Sequence, residues 1–413
     1  MTTLQVAAIL LSLTAVLFTL NQSFLRLPST LGLMVLSLGS ALLLALLQWL
    51  GFSFVGAFAT TVLDNIDLNE AVLNGFLCLL LFVGAIHVDV KELYKERLTV
   101  GTLATGGVLI STIVIGLLTW IITGLVGASV PLSYCFLFGA LISPTDAVTT
   151  LLFLQKIKLS SNTVNQITGE SLLNDGMSIV LFSTLLAIAT GSGNVSIAGM
   201  PIVLLWDIGG AVIIGTGLGF LAYTKLRFAP GNNPYTSLLT TLALATASYA
   251  LTDALGASGP IATVAAGLVL GSHGDTFAGN YEDAHLVSTA WDLIDEVLTS
   301  VLFVIIGLEL LSISTQWSHL TVAALIVPAV LAARYISIYG NLRLLPGKEC
   351  VRTKVAPLLT WGGLRGGISI ALVLTLPAGE LRDILMTATY AVVLFSIFVQ
   401  GPTLARVAKR LHS

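Results

Sequence analysis

Two polar clusters lie deep inside apolar stretches: Ser143-Pro144-Thr145-Asp146 and Glu170-Ser171-Leu172-Leu173-Asn174-Asp175. A carboxylate at the centre of a bilayer costs about 2.5 to 3.5 kcal/mol even on a lenient insertion scale, and such residues usually mark an ion or proton path. On a helix, Glu170, Ser171, Asn174 and Asp175 are related by steps of three and four, so their side chains form one stripe. With Leu172, Leu173, Ile179, Val180, Leu181 and Phe182 around it, that stripe must face protein or a water-filled cavity rather than lipid. Pro144 has no amide hydrogen and clashes with the preceding turn, so carbonyls about one turn upstream, near Ala140, are expected to be freed. Thr145 and Asp146 add a hydroxyl and a carboxylate directly after the break. Asp146, Asp175, Ser171 and a backbone oxygen could then form an all-oxygen cage of the kind hard cations prefer, and the lack of a His or Cys cluster argues against zinc or copper.

An acid withdrawn from water holds its proton more tightly, and a bound cation loosens it again. One carboxylate can therefore carry H⁺ or a metal cation but not both well, which is enough to couple two fluxes if the empty site crosses poorly. The competing reading for each acid is a buried ion pair that only fixes helix packing. Transport is the favoured role for Asp175 and Asp146, whereas Glu170 is expected to pair with Arg365, read as an intramembrane arginine that needs a buried partner.

The elements that hold these residues must be membrane helices. Hydrophobic residues make up 56% of the chain and charged ones only 9%, against about 25% charged in soluble domains; the mean hydropathy is +0.97. Apolar windows predict thirteen spans near 3–21, 29–50, 70–86, 98–125, 131–153, 165–190, 200–224, 236–254, 257–272, 288–312, 318–340, 354–377 and 382–405, an all-α polytopic bundle in the lipid bilayer. With the N-terminus outside, the cytoplasmic connections would carry Arg26, Lys91, Lys95, Arg97, Lys156, Lys158, Lys225, Arg227, Arg334, Arg343, Lys348, Arg352, Lys354, Arg406, Lys409 and Arg410, sixteen of the eighteen basic residues. Arg382 falls outside and Arg365 within a span. An odd span count puts the C-terminus in the cytoplasm, and with the chain ending at Ser413 no soluble C-terminal domain is expected.

The first apolar run lacks the basic residues of a cleaved signal peptide and is read as a span. The net charge of −3 offers no basic field for nucleic acid. Cys78, Cys135 and Cys350 are too scattered for a metal site and are expected as free thiols. Two predicted spans, the fifth at Ser143-Pro144-Thr145 and the twelfth at Gly362-Gly363 and Gly366-Gly367, are interrupted by helix-disfavouring residues. Such paired breaks in inverted repeats point to a transporter binding site, although glycine pairs also allow close helix packing.

Three segments carry a family resemblance: Gly139-Ala140-Leu141-Ile142-Ser143-Pro144-Thr145-Asp146, Gly169-Glu170-Ser171-Leu172-Leu173-Asn174-Asp175-Gly176 and Trp361-Gly362-Gly363-Leu364-Arg365-Gly366-Gly367-Ile368-Ser369. Together they resemble the signature segments of NhaP-type sodium/proton antiporters, bacterial relatives of the eukaryotic sodium/proton exchangers. Trp291-Asp292-Leu293-Ile294-Asp295-Glu296, Leu302-Phe303 and Gly307-Leu308-Glu309 resemble a further segment, with Thr299 where many relatives place asparagine. The resemblance implies a thirteen-span homodimer moving in an elevator-like manner, with scaffold or dimerisation helices in 1–86 and 200–312 and ion-transport core helices in 98–190 and 318–405. It implies that Asp175 is the cation and proton carrier, that Asp146, Ser171 and the main chain of Thr145 are co-ligands, and that Glu170 acts near the ion beside Asn174 and Arg365. The Asn174-Asp175 pair matches the electroneutral branch, which exchanges one cation for one proton. No cofactor is expected; Na⁺, Li⁺ or K⁺ and H⁺ would be the transported species, with a role in pH homeostasis at the cytoplasmic membrane.

Asp295, Glu296 and Glu309 could line an ion entrance but read more simply as solvated helix ends, and His87, His273, His285, His319 and His412 read as surface histidines. Gly209, Gly210, Gly215, Gly217 and Gly219 could serve dimerisation or packing within one subunit. An intramembrane aspartyl protease and a passive cation channel are the other function classes compatible with two membrane aspartates; the Leu173-Asn174 context of Asp175 lacks the Gly-x-Gly-Asp setting expected of the protease.

Overall fold

A computed structural model describes residues 3–27, 29–50, 75–88, 90–154, 161–191, 199–228, 234–273, 281–309, 316–344 and 356–412. Regular structure among them is helical: α1 (Thr3–Leu20), α2 (Ser29–Trp49), α3 (Leu77–Ile86), α4 (Val90–Lys95), α5 (Arg97–Thr102), α6 (Val108–Val126), α7 (Leu132–Ile142), α8 (Ala147–Leu154), α9 (Ser161–Thr190), α10 (Met200–Phe228), α11 (Pro234–Ala254), α12 (Gly259–Gly271), α13 (Tyr281–Glu309), α14 (Trp317–Leu344), α15 (356–361), α16 (Gly367–Leu374), α17 (Glu380–Phe395) and α18 (Gly401–His412). Backbone amides and carbonyls have no water to bond with in hydrocarbon, and helices satisfy them internally. Among the described residues six helical stretches, Leu4–Leu25, Arg97–Val126, Val164–Thr190, Met200–Phe228, Trp317–Arg343 and Glu380–Arg410, are long and apolar enough to cross a membrane. The closely spaced windows at 236–254 and 257–272 are two helices, α11 and α12, turned by Gly256 at φ +70°, a conformation that suits glycine.

By contact density the chain forms two compact units, Met1–Leu73 with Gly107–Leu159 and Leu298–Ser413, and Asn74–Gly106 with Ser160–Val297. In the first, α6 packs along α7 and α14, and α14 along α17. Glycine makes the α6–α7 approach possible: a Cβ on Gly139 would stand 2.3 Å from the Thr112 carbonyl oxygen. In the second, α12 lies against α10, α3 and α11. Gly215 and Gly219 of α10 would carry Cβ atoms 2.2 Å from the Ala262 oxygen and 2.9 Å from the Val269 Cβ, whereas Gly209 and Gly217 face open space. Part of that glycine face therefore serves packing within the subunit.

The core of the second unit holds Phe82 and Trp291 with ring centroids 5.0 Å apart, and the Trp291 indole donates to the Thr241 hydroxyl at 2.9 Å. On the other face of α10, Ile202, Leu205, Ile213, Leu221 and Phe228 are exposed, a surface suited to hydrocarbon. Cys78 and Cys135 are free and buried, as expected; Cys350 lies outside the described residues.

Candidate functional site

Within the first unit the two predicted interruptions meet. α7 stops at Ile142, and residues 143–146 run without helix before α8 begins at Ala147. α15 ends at 361, and after a turn residues 363–366 are likewise non-helical before α16 begins at Gly367. The two breaks are tied together by the backbone, the Asp146 amide donating to the Leu364 carbonyl at 2.8 Å. The Thr150 hydroxyl lies 2.7 Å from the Asp146 carbonyl and 2.6 Å from that of Gly362.

Four carbonyls around Pro144 have donors. The Ser143 amide reaches the Ala140 carbonyl at 3.3 Å and its hydroxyl the Gly139 carbonyl at 2.7 Å. The Ser143 and Pro144 carbonyls both accept from Nη1 of Arg365, the latter at 2.7 Å. The Gly139 and Ala140 carbonyls, in the stretch expected to be free, are thus engaged by Ser143, because an unmet carbonyl in an apolar interior is costly. Arg365 itself is 2% exposed, and its amide donates to the Ser396 hydroxyl at 3.2 Å. Its guanidinium serves the broken backbone, a role that spacing alone did not suggest.

Asp146 sits at the start of α8, where its carboxylate accepts from the Thr149 amide at 2.9 Å and from the Thr149 hydroxyl at 2.5 Å. It also lies against the second break, since a Cβ on Gly366 would stand 2.7 Å from its Oδ2. Thr145 and Thr149 are buried, and Asp146 is partly buried. Thr149 stands outside the sequence motifs named above; its signal is its place as third residue of a helix capped by Asp146, where an N-cap carboxylate accepts.

In the second unit, α9 carries the other cluster. Glu170, Ser171 and Asn174 are buried and Asp175 partly so. The Asn174 amide lies 3.5 Å from the Glu170 carboxylate one turn away. Glycines on either side let α9 approach its neighbours: a Cβ on Gly169 would meet Leu93 at 2.3 Å, and one on Gly176 would meet Ile261 at 3.1 Å. Ser178, fully buried and with no hydrogen-bond partner for its hydroxyl, extends the polar stripe by one turn. Continuing the three- and four-residue steps past Asp175 would have found it.

Three expectations are corrected. Arg334, read as part of a cytoplasmic connection, is 4% exposed inside α14, because that helix runs on from Trp317 to Leu344 and turns the side chain inward. Glu309, read as a solvated helix end, is 7% exposed and accepts from Arg382 at 2.8 Å, because a carboxylate withdrawn from water needs a charged partner. His319, read as a surface histidine, is 1% exposed in the first turn of α14, placed inward by the helical repeat. Among the described residues no group of three or more His, Cys, Asp or Glu side chains could hold a metal ion.

Comparison with known proteins agrees with this architecture. Residues 9–410 match the family model described as sodium/hydrogen exchanger, transmembrane. The chain is 37% identical to the Na(+)/H(+) antiporter NhaP of Pseudomonas aeruginosa, over 99% of this chain and 97% of that one. It is 32% identical to the Na(+)/H(+) antiporter ApNhaP of Aphanothece halophytica, over 96% and 72%. Its fold resembles that of the sodium proton antiporter MjNhaP1 of Methanocaldococcus jannaschii, with a TM-score of 0.74 at 20% identity, covering 98% of this chain and 97% of that chain. The chain belongs to the sodium/hydrogen exchanger family.

Proposed function

We propose that the protein is a secondary active antiporter that exchanges Na⁺, or its alkali neighbours Li⁺ and K⁺, for H⁺ across the cytoplasmic membrane. One cation moves against one proton, so exchange is electroneutral. The observation that carries the proposal is membership of the family over nearly the whole chain, with relatives named as Na⁺/H⁺ antiporters. Buried or partly buried carboxylates on α9 and at the α7–α8 break give that reading its chemistry.

Asp175 is the carrier in this proposal, taking a proton or a cation by turns. Asp146, Ser171 and the main chain of Thr145 complete an oxygen shell for the cation, while Glu170, Asn174 and Arg365 support it. A carboxylate offers about four lone-pair positions, so Asp146 keeps acceptor capacity after its two bonds to Thr149. Hydroxyl, carboxylate and carbonyl oxygens suit a hard cation. Thirteen spans with the N-terminus outside and the C-terminus in the cytoplasm, a homodimer, and an elevator-like motion of the 98–190 and 318–405 helices against a scaffold of 1–86 and 200–312 belong to the same proposal, as does a role in pH homeostasis.

The test is exchange in everted vesicles with an imposed pH gradient. Added Na⁺ should dissipate the gradient in the wild type with almost no current, and Asp175→Asn, at equal expression and thermal stability, should abolish the response. An Asp175→Asn protein with full exchange removes the mechanism; no response to any alkali cation in the wild type removes the substrate class.

A further inference from the structure

We propose that Thr149 is a positioning residue that fixes the carboxylate of Asp146 for cation coordination, an inference that rests on the proposed role of Asp146. Its amide and its hydroxyl engage the two carboxylate oxygens separately, Oδ1 at 2.9 Å and Oδ2 at 2.5 Å, and Thr149 is 5% exposed. The amide bond is what any helix receives from an aspartate at its N-cap. The hydroxyl bond is additional. A threonine inside a helix commonly turns its hydroxyl back to the carbonyl four residues earlier, as Thr150 does toward Asp146. For Thr149 that carbonyl would be the one on Thr145, the proposed main-chain ligand. The hydroxyl goes to Asp146 instead and does not compete for the Thr145 oxygen.

Two donors on two oxygens of one carboxylate remove its freedom to rotate about the Cβ–Cγ bond. The direction in which the carboxylate presents its oxygens is then set by α8. Preorganised ligands bind a cation more tightly because no rotation has to be frozen when the ion arrives. The consequence lies in cation affinity rather than in turnover.

Thr149→Val keeps size, branching and the amide donor while removing the hydroxyl; Thr149→Ser keeps the hydroxyl. In reconstituted liposomes Thr149→Val should raise the KM for Na⁺ about tenfold or more, as expected for losing a bond to an ionised acceptor, with kcat within about twofold. Thr149→Ser should return KM to near the wild-type value. A Thr149→Val protein with unchanged KM, or one whose kcat and thermal midpoint fall without a change in KM, is only a helix-cap defect and overturns the inference, as does a serine variant as impaired as the valine one. Asp146→Asn is run alongside. If it exchanges Na⁺ with wild-type KM, the proposed role of Asp146 fails; if it is impaired while Thr149→Val is not, the positioning role alone fails.

Discussion

Arg365 offers the sharpest test of how this fold tolerates broken helices in an apolar interior. Replacing it with Met keeps length and apolar volume but removes the Nη1 donor shared by the Ser143 and Pro144 carbonyls. Each buried carbonyl left without a partner costs about 1 to 3 kcal/mol, so the pair costs about 2 to 6 kcal/mol. Removing a buried charge recovers some desolvation, which places the expected loss in the lower half of that range. Against a net stability of about 5 to 15 kcal/mol this is large. Arg365→Lys restores a charge and rotatable donors but not the planar fork, and should fall between. The measurement is the thermal midpoint of purified protein in detergent, with exchange assayed in vesicles. Glu170→Gln separates two accounts of the arginine. If closing the break is its principal task, Gln at 170 destabilises less than Met at 365. An unchanged midpoint for Arg365→Met, or equal losses from the two variants, refutes the reasoning.

Gly366→Ala should cut Na⁺-dependent exchange at least about tenfold at near-normal expression, because the new Cβ would stand 2.7 Å from Asp146 Oδ2 and the carboxylate would have to move; vesicle exchange at saturating and limiting Na⁺ checks this, and wild-type kinetics would refute it. For the Glu309–Arg382 pair, Glu309→Gln and Arg382→Gln should each lower the thermal midpoint by leaving a buried partner uncompensated, and the double variant should lose less than the two singles together; additive losses in a double-mutant cycle would show that the pair is not coupled.

How much of this was legible in the sequence depended on the physical range of each signal. Pro144 and the glycine pairs around Leu364-Arg365 are local instructions, and the helices stop where those residues require. The polar stripe on α9 follows from helical periodicity and is buried as expected at Glu170, Ser171 and Asn174. Partners at long separation were harder to read. Nothing in the spacing says that Arg365 will reach carbonyls 222 and 221 residues earlier, or that Glu309 will meet Arg382 across 73 residues. An intramembrane cation can be answered by a carboxylate or by orphaned carbonyls, and composition does not choose between them. Periodicity could have placed His319 inward, but its position near a predicted span boundary hid the face it would occupy.

The meeting of the two breaks also bears on why a site built this way can release its passenger. Helix N-termini carry roughly half a positive charge and C-termini roughly half a negative one. Asp146 stands at the N-terminus of α8, and its carboxylate lies close to Gly366, the residue that precedes α16. Arg365 meets the carbonyls that follow α7. One acid therefore lies near two positive helix ends, and one base meets the carbonyls at the end of α7, so these three helix ends each face a charge of opposite sign. On the proposed reading, a cation at Asp146 meets a carboxylate whose charge is already shared with those helix ends. The hold is weaker than that of an isolated buried aspartate, and an exchanger requires this, since each half cycle ends only when the ion leaves.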